Sequence, residues 1–282
     1  MKNYLNKNLN YLQSDVTNAC DELGIWAAPF GILLLDNFPI RKYQNYLDIG
    51  CGTGFPLIEI ANRLGNNCKS TGIDPWEEAV KRAQAKIDTL QLDHISIIEG
   101  SAESINFPDN HFDLITSNLG INNFEDPLQV MNESYRTLKQ GGTFCATTNL
   151  TGTFDEFYKL FRESLLELGF EKYLAQLDNH INHRGTEESS IKLFENSGFK
   201  IINTIKSEHS MRFYNGSAFL NHSFIIIGFI DSWRNMFEEA DKELFFDNFE
   251  QKLNAYANRQ GELRLTIPML YIEARKEKGF GV

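Results

Sequence analysis

Apolar and polar positions in this chain switch repeatedly between strand-like runs and helical spacing. Tyr46, Leu47 and Ile49 form a short apolar run suited to a buried strand. Three glycines follow at alternate positions, Gly50, Gly52 and Gly54. Pro56 and the apolar residues Leu57, Ile60, Ala61 and Leu64 then mark a helix, stopped by Gly65. Trp76, Ala79, Val80, Ala83, Ile87 and Leu90 recur with the spacing of a second amphipathic helix. Residues 94–99 and 112–116 read as strands. Asp126 and Pro127 supply an N-cap and a first helical residue, with Leu128, Met131, Tyr135 and Leu138 on the buried face. Gly141 and Gly142 then turn the chain into a strand over 143–148. Strands alternating with helices of this length predict right-handed crossovers and a parallel sheet. A ligand then belongs at the carboxyl ends of the strands, where the strand order reverses. Asp48, Asp74 and the 117–120 turn all fall at such ends.

The flanking regions carry other patterns. Leu12, Val16, Ala19, Cys20 and Leu23 predict an amphipathic helix that Gly24 ends, followed by Trp26, Phe30 and the apolar stretch 32–35. Beyond residue 150, Phe154, Phe157, Tyr158, Phe161, Leu165 and Leu168 mark a helix, and another covers 173–181. Thr186 caps a third helix running to Asn196, Gly198 ends it, and 199–207 reads as the sixth strand. Residues 217–231 are apolar nearly all round, so periodicity does not separate helix from buried strand there. A helix over 245–256 and a last strand over 263–275 complete an α/β, doubly wound, mostly parallel sheet of seven strands.

Composition narrows the class. The 282 residues are 42% hydrophobic and 23% charged, ordinary for a globular protein with a sizeable core. A net charge of −11, from 27 basic and 38 acidic residues, argues against affinity for nucleic acid or an anionic membrane. Cys20, Cys51, Cys68 and Cys145 show neither C-x-x-C pairing nor zinc spacing, so buried free thiols are expected and no metal site. Neither a signal-like amino terminus nor an apolar run of the ~18 residues a membrane span needs is present, which places the expected protein in a reducing cytoplasm.

Residues 46–54 read Y-L-D-I-G-C-G-T-G. A strand, a glycine turn and a helix amino terminus make a nucleotide-type site, because unpaired amides there face the ligand. A dinucleotide fingerprint spaces its glycines G-x-G-x-x-G and places a pyrophosphate on the helix end. Here a carboxylate, Asp48, precedes D-x-G-x-G-x-G; it would repel a pyrophosphate and attract an ammonium group. This arrangement resembles the S-adenosylmethionine site of class I methyltransferases, and the likeness continues downstream. The T-G-I-D run ending at Asp74 resembles that family's second strand, whose acidic residue takes both ribose hydroxyls; two acceptor oxygens suit a cis-diol. Residues 99–115 resemble the adenine-binding segment and fourth strand of the branch that includes the ubiquinone and menaquinone biosynthesis methyltransferases. Ser101 stands where many relatives have Asp, leaving adenine recognition to Glu103 or a backbone carbonyl. The resemblance runs over residues 45–148.

The resemblance implies a Rossmann-like core of residues 46–208 with 263–275. To this are added an N-terminal helical lid segment, 1–45, and an insertion before the last strand, 209–262. It implies S-adenosylmethionine as cofactor, with S-adenosylhomocysteine as product. The binding set would be Asp48, Gly50, Cys51, Gly52, Gly54, Asp74, Pro75, Ser101, Ala102, Glu103 and Asn118. Methyl transfer from a sulfonium needs alignment and water exclusion more than a triad. His183, His209, His222 and Tyr214 are therefore only candidate proton acceptors. The turn after the fourth strand is Ser117-Asn118-Leu119-Gly120 in place of the [D/N]-P-P-[Y/F] of many nucleic-acid and protein amino-group methyltransferases. A small-molecule acceptor follows, with Trp26, Phe30, Asn118 and His222 as candidate pocket residues, alongside Phe213, Phe219 and Phe224. The same aromatics would equally build a separate core or a dimer interface, and monomer and homodimer both stay open. A non-catalytic binding module and a nicotinamide-dependent oxidoreductase are the rival classes; the second needs its third glycine one residue later and no Asp48.

Overall fold

The computed structural model describes residues 2–7, 9–10 and 12–277. Three helices come first: α1 (Asn3–Asn6), α2 (Ser14–Glu22) and α3 (Ala27–Asn37). The alternating region follows as β1 (Asn45–Ile49), α4 (Leu57–Leu64), β2 (Lys69–Asp74), α5 (Glu77–Leu90), β3 (Ile95–Glu99), β4 (Phe112–Asn118), α6 (Pro127–Thr137) and β5 (Leu138–Asn149). Next are α7 (Asp155–Glu167), a 3-10 turn (Glu171–Tyr173), α8 (Leu174–Asn182), α9 (Glu187–Asn196) and β6 (Lys200–Phe213). Short helices α10 (Gly216–Leu220), α11 (Ser223–Gly228) and α12 (Ile230–Arg234), the long α13 (Glu239–Gln260) and β7 (Leu263–Arg275) finish the chain.

The seven strands form one sheet in the order β3-β2-β1-β4-β5-β7-β6. Pairings from β3 across to β5 are parallel, and β7 runs antiparallel to β5. The expected mostly parallel, doubly wound sheet is therefore present, with the order reversing between β1 and β4. Apolar residues flank that reversal: Tyr46, Leu47 and Ile49 of β1 and Leu114 and Ile115 of β4 have no exposed surface. Helix α4 buries Leu57, Ile60 and Ala61 fully. Each such Leu or Ile contributes roughly 1.5–3 kcal/mol over an exposed position, which holds the helix that starts at the glycine loop. Asp126 caps α6 by accepting from the Gln129 amide at 3.0 Å, and Thr186 and Ser189 form a reciprocal capping box on α9.

One local expectation is corrected. Gly141 and Gly142 do not turn the chain into β5; they lie inside it, at a register irregularity where β5 runs Leu138 to Thr143 while β4 runs only Phe112 to Leu114. Gly141 takes φ +77 there, so the bulge is absorbed without breaking the strand. Stretch 217–231, where periodicity left helix and buried strand open, is helical, as short helices α10, α11 and α12. The Asn215 side chain starts α10 by accepting from the Ala218 amide, and His222 and Phe229 sit in the breaks.

Packing divides the chain into two compact units. Of the described residues, one holds 12–149, 185–207 and 269–277, and the other holds 2–7, 9–10, 150–184 and 208–268. In the second unit α7 packs with α13. Aromatic surface explains this. Phe157 of α7 meets Trp233 at 4.4 Å and Phe249 at 4.9 Å between ring centroids, and Phe161 meets Phe245 at 4.5 Å. Tyr4 of α1 donates to the buried Glu250, which also takes Ser217 and Lys2. Among the described residues, no helix is long and apolar enough to cross a membrane.

Candidate functional site

The glycine loop leaves β1 and is pinned to the end of β2. The Gly50 and Cys51 amides both donate to the Ile73 carbonyl, at 2.9 and 3.2 Å. Gly54 then closes a tight turn onto the Cys51 carbonyl. Gly52 and Gly54 are glycine for different reasons. Gly54 has φ +98, and a Cβ there would lie 2.9 Å from Ile58 and 3.3 Å from Ala83, so α4 and α5 approach it too closely for a side chain. Gly52 has φ +52, but its Cβ would meet nothing within 4 Å. The space it faces is open, which is what a loop built to lie against a ligand requires.

Two carboxylates stand around this loop. Asp74 ends β2 and accepts from the Gly52 amide through Oδ2 at 2.8 Å and from the Trp76 amide through Oδ1 at 2.9 Å. Burial pushes its pKa up, against the pull of those two amides. Asp48 is 1% exposed. Its Oδ1 accepts from the Thr116 hydroxyl at 2.5 Å, while Oδ2 is buried with no partner. Burial raises this carboxyl to about 7, the Thr116 donor opposes that rise, and the charge of Asp74 adds to it. Cys51, between them in the chain, is a buried thiol driven upward by burial and by both carboxylates. The spot is short of positive charge and of donors. An ammonium group and a diol supply both; a pyrophosphate supplies neither.

A cavity of about 560 Å³ opens here. Gly50, Cys51, Gly52 and Thr53 form one wall, Asn118 and Leu119 another, and Trp76 and Lys86 a third. Cys20, Asp21 and Gly24 at the end of α2, Ala27 and Ala28 of α3, and Phe55 complete the lining. Asn118 is fixed at both ends of its amide: Oδ1 accepts from Thr147 at 2.7 Å and Nδ2 donates to the Ala27 carbonyl at 3.3 Å. Leu119 follows at φ +65. With the open cradle at Gly52 and the unpartnered Asp48 Oδ2, the residues present fit the expected cofactor.

Other sequence candidates take different places. Ser101, Ala102 and Glu103 follow β3 beside Asp74, whose carbonyl accepts from the Gly100 amide at 3.0 Å. Both Glu103 oxygens are engaged within the protein, Oε2 by Ser101 and Oε1 by the Asp126 amide, so this side chain braces the segment against the start of α6. Phe30 is wholly buried and Trp26 packs on its ring at 5.8 Å, which makes Phe30 part of the core and not a pocket surface. His183, His209, His222 and Tyr214 belong to the aromatic unit. Within it, Tyr214 is 83% exposed, and His222 stacks edge-on with Phe213 at 5.4 Å with its Nδ1 buried and unpartnered. Burial lowers the His222 pKa. Phe219 is fully buried against Phe154 and Phe157, so it serves that unit's core.

Sequence reasoning missed Asp21, Thr53, Phe55 and Lys86. Some signal existed: Arg82 and Lys86 lie one turn apart beside the small residues Ala79 and Ala83. A basic stripe next to a flat alanine face is suited to receiving another helix.

The methyltransferase domain family matches residues 40–206. A demethylmenaquinone methyltransferase of Listeria welshimeri is 31% identical over 179 residues, 59% of this chain and 74% of its own length. Among solved structures, an S-adenosylmethionine-dependent methyltransferase from Aquifex aeolicus superposes with TM-score 0.52 at 19% identity over 67% of this chain and 91% of that one. A phosphoethanolamine N-methyltransferase of Haemonchus contortus, solved with S-adenosylhomocysteine, gives 0.53 at 19% identity over 90% of this chain and 53% of its own. The glycine loop, the paired carboxylates and the β1/β4 reversal all lie within the matched span, and the chain belongs to the class I S-adenosylmethionine-dependent methyltransferases.

Proposed function

We propose that this methyltransferase acts on a small molecule, with its cofactor held by the glycine loop, Asp48, Asp74 and the segment after β3. The observation that carries the acceptor class is the turn after β4. A planar amino group presented by a base or a peptide side chain would need a free carboxamide and adjacent carbonyls at this point. Asn118 has both ends of its carboxamide engaged by Thr147 and Ala27, and Leu119 follows in place of a proline. The net charge of −11 works against a polyanionic partner in the same direction. The demethylmenaquinone methyltransferase likeness supports a small acceptor as well.

S-adenosylmethionine, when bound, supplies a methyl group on a positively charged sulfur. The chain's own part is to bind, orient and keep water out. Asp74 offers the remaining lone pairs of two oxygens to a pair of hydroxyls, while its bonds to Gly52 and Trp76 fix where those oxygens point. Asp48 holds a buried oxygen ready for a cation. The apolar lining from Ala27, Ala28, Phe55, Trp76 and Leu119 lowers the local dielectric and excludes water.

The test is transfer of label from S-adenosylmethionine carrying a tritiated methyl group, with a metabolite extract, a protein extract and nucleic acid offered separately. Label appearing in the metabolite fraction is the expected result. Label confined to protein or nucleic acid would overturn the acceptor class.

A further inference from the structure

We propose that Asp21 is an ionic latch that fastens α2 across the mouth of the cofactor cavity, so that cofactor exchange requires the latch to open. The inference rests on reading the cavity as the cofactor site, and its force comes from how differently α2 and α3 are attached. Helix α3 is fixed by apolar burial: Phe30 and Leu34 have no exposed surface, and Leu35 and Phe38 are nearly covered. Its Gly31 lies so close to the Phe55 ring that a Cβ would come within 2.2 Å of it, and the Tyr271 hydroxyl donates to the Asn37 carbonyl at the far end. Among the described residues, helix α2 buries less apolar surface. Val16 and Thr17 are its buried residues, while Leu12, Leu23 and Ile25 around it are 74%, 56% and 55% exposed.

Beyond Val16 and Thr17, α2 is held by one charge cluster. The Asp21 side chain is only 9% exposed, with three donors around it. Lys86 reaches Oδ1 at 2.5 Å, Arg82 reaches Oδ2 at 2.8 Å, and the Thr53 hydroxyl donates to Oδ1 at 2.7 Å. Lys86 also donates to the Thr53 carbonyl at 2.9 Å, and Glu22 adds a longer approach to Arg82 at 3.8 Å. Thr53 belongs to the glycine loop, and Asp21, Thr53 and Lys86 all line the cavity. The same cluster therefore holds α2 down and sets the loop that faces the ligand. The two helices meet at a short link, Leu23 to Trp26, containing Gly24, whose Cβ would meet only one atom within 4 Å. The charge cluster and the glycine link lie together at the carboxyl end of α2, the end that lines the cavity, so opening the cluster frees that end from the loop. Arg82 and Lys86 are 31% and 29% exposed, so salt screens the cluster in part while it leaves apolar burial untouched, and α2 should loosen in salt while α3 stays.

The test compares wild type with Asp21→Asn, which keeps the shape of the side chain and removes its charge, and with Lys86→Met. Dissociation of S-adenosylhomocysteine is followed by stopped-flow tryptophan fluorescence from 0.05 to 0.5 M NaCl (roughly a threefold range in Debye length), and hydrogen exchange is read on the cofactor-free proteins. The expected result is dissociation roughly tenfold to hundredfold faster in both variants, with the salt dependence lost in Asp21→Asn and reduced in Lys86→Met, which keeps the Arg82 pair. Exchange should accelerate over 14–22 while 27–37 keeps its wild-type rate. Wild-type dissociation and wild-type exchange over 14–22 in a folded Asp21→Asn protein would overturn the latch, as would equal acceleration over both helices. Failure of the wild type to bind S-adenosylhomocysteine would instead overturn the cofactor reading, and the exchange comparison would still decide the latch.

Discussion

Thr116 stands directly across from Asp48 on the neighbouring parallel strand and donates its hydroxyl proton to Oδ1 at 2.5 Å. Thr116 in turn lies 2.7 Å from the Tyr46 hydroxyl, so Tyr46, Thr116 and Asp48 form a buried relay across the β1/β4 reversal. Since Thr116 gives its one proton to Asp48, Tyr46 must be the donor to Thr116. One oxygen of Asp48 is thereby fixed, and the other is left for whatever enters the cavity.

The first prediction concerns pH. The Asp48 carboxyl is raised to about 7 in the fold, chiefly by burial, against an ordinary 3.8. A raised acid binds more protons folded than unfolded, so its stabilising contribution is complete below about 3.8 and is lost as pH rises through about 7. Relative to wild type, Asp48→Asn should therefore gain stability between pH 4 and pH 8, by of order 3–5 kcal/mol at ~1.4 kcal/mol per pKa unit. Urea unfolding of the cofactor-free proteins at several pH values measures it. A cation in the cavity favours the ionised form, so affinity for S-adenosylhomocysteine should climb through the same range in wild type and stay flat in the variant.

Asp74→Ala should weaken cofactor binding by roughly 1.5–3 kcal/mol, the range for hydrogen bonds to a charged group. It also frees the Gly52 and Trp76 amides that the carboxylate holds, so the loss should include a less favourable entropy from an unpinned loop. Isothermal calorimetry reads both. Unchanged affinity would remove Asp74 from the site.

The sequence carried the sheet and the glycine loop because those elements are decided locally. The apolar run at Tyr46–Ile49, the glycine spacing and the cap at Asp126 each follow from nearby residues. The helix boundaries at Gly65 and Gly198 were legible for the same reason. What stayed hidden is long-range. Nothing near Asp21 in the chain announces Lys86 or Thr53, and nothing in the 150–168 pattern says that its phenylalanines meet Phe245 and Phe249. The Gly141–Gly142 pair misled for a different reason: two glycines mark a turn and a bulge equally well, and only the register opposite Phe112 and Leu114 separates them.

The aromatic unit offers a stability prediction. Phe157 is fully buried and touches Phe161, Phe219, Trp233 and Phe249. Phe157→Ala should cost about 3–5 kcal/mol, the range for emptying a buried aromatic site. Phe157→Leu keeps most of the volume and should cost well under half of that. Denaturant midpoints with an unchanged m-value would confirm the difference as stability.

Gly52→Val separates a ligand cradle from a structural turn. The added side chain has no protein atom within 4 Å of its Cβ, so packing in the cofactor-free protein gives no reason for the substitution to fail. Two costs remain. One is backbone strain at φ +52, about 1–2 kcal/mol for a β-branched residue forced left-handed. The other is occupation of the open space itself. Gly52→Ala incurs most of the strain but little of the bulk, so the pair of variants distinguishes the two effects. The expected outcome is a folded Gly52→Val protein, slightly destabilised in urea, that no longer binds S-adenosylhomocysteine, beside an Ala variant that binds more weakly but measurably. Binding lost equally in both would assign the effect to the backbone turn and its bond to Asp74. Wild-type binding by a folded Val variant would mean that the space in front of Gly52 is not where the cofactor lies.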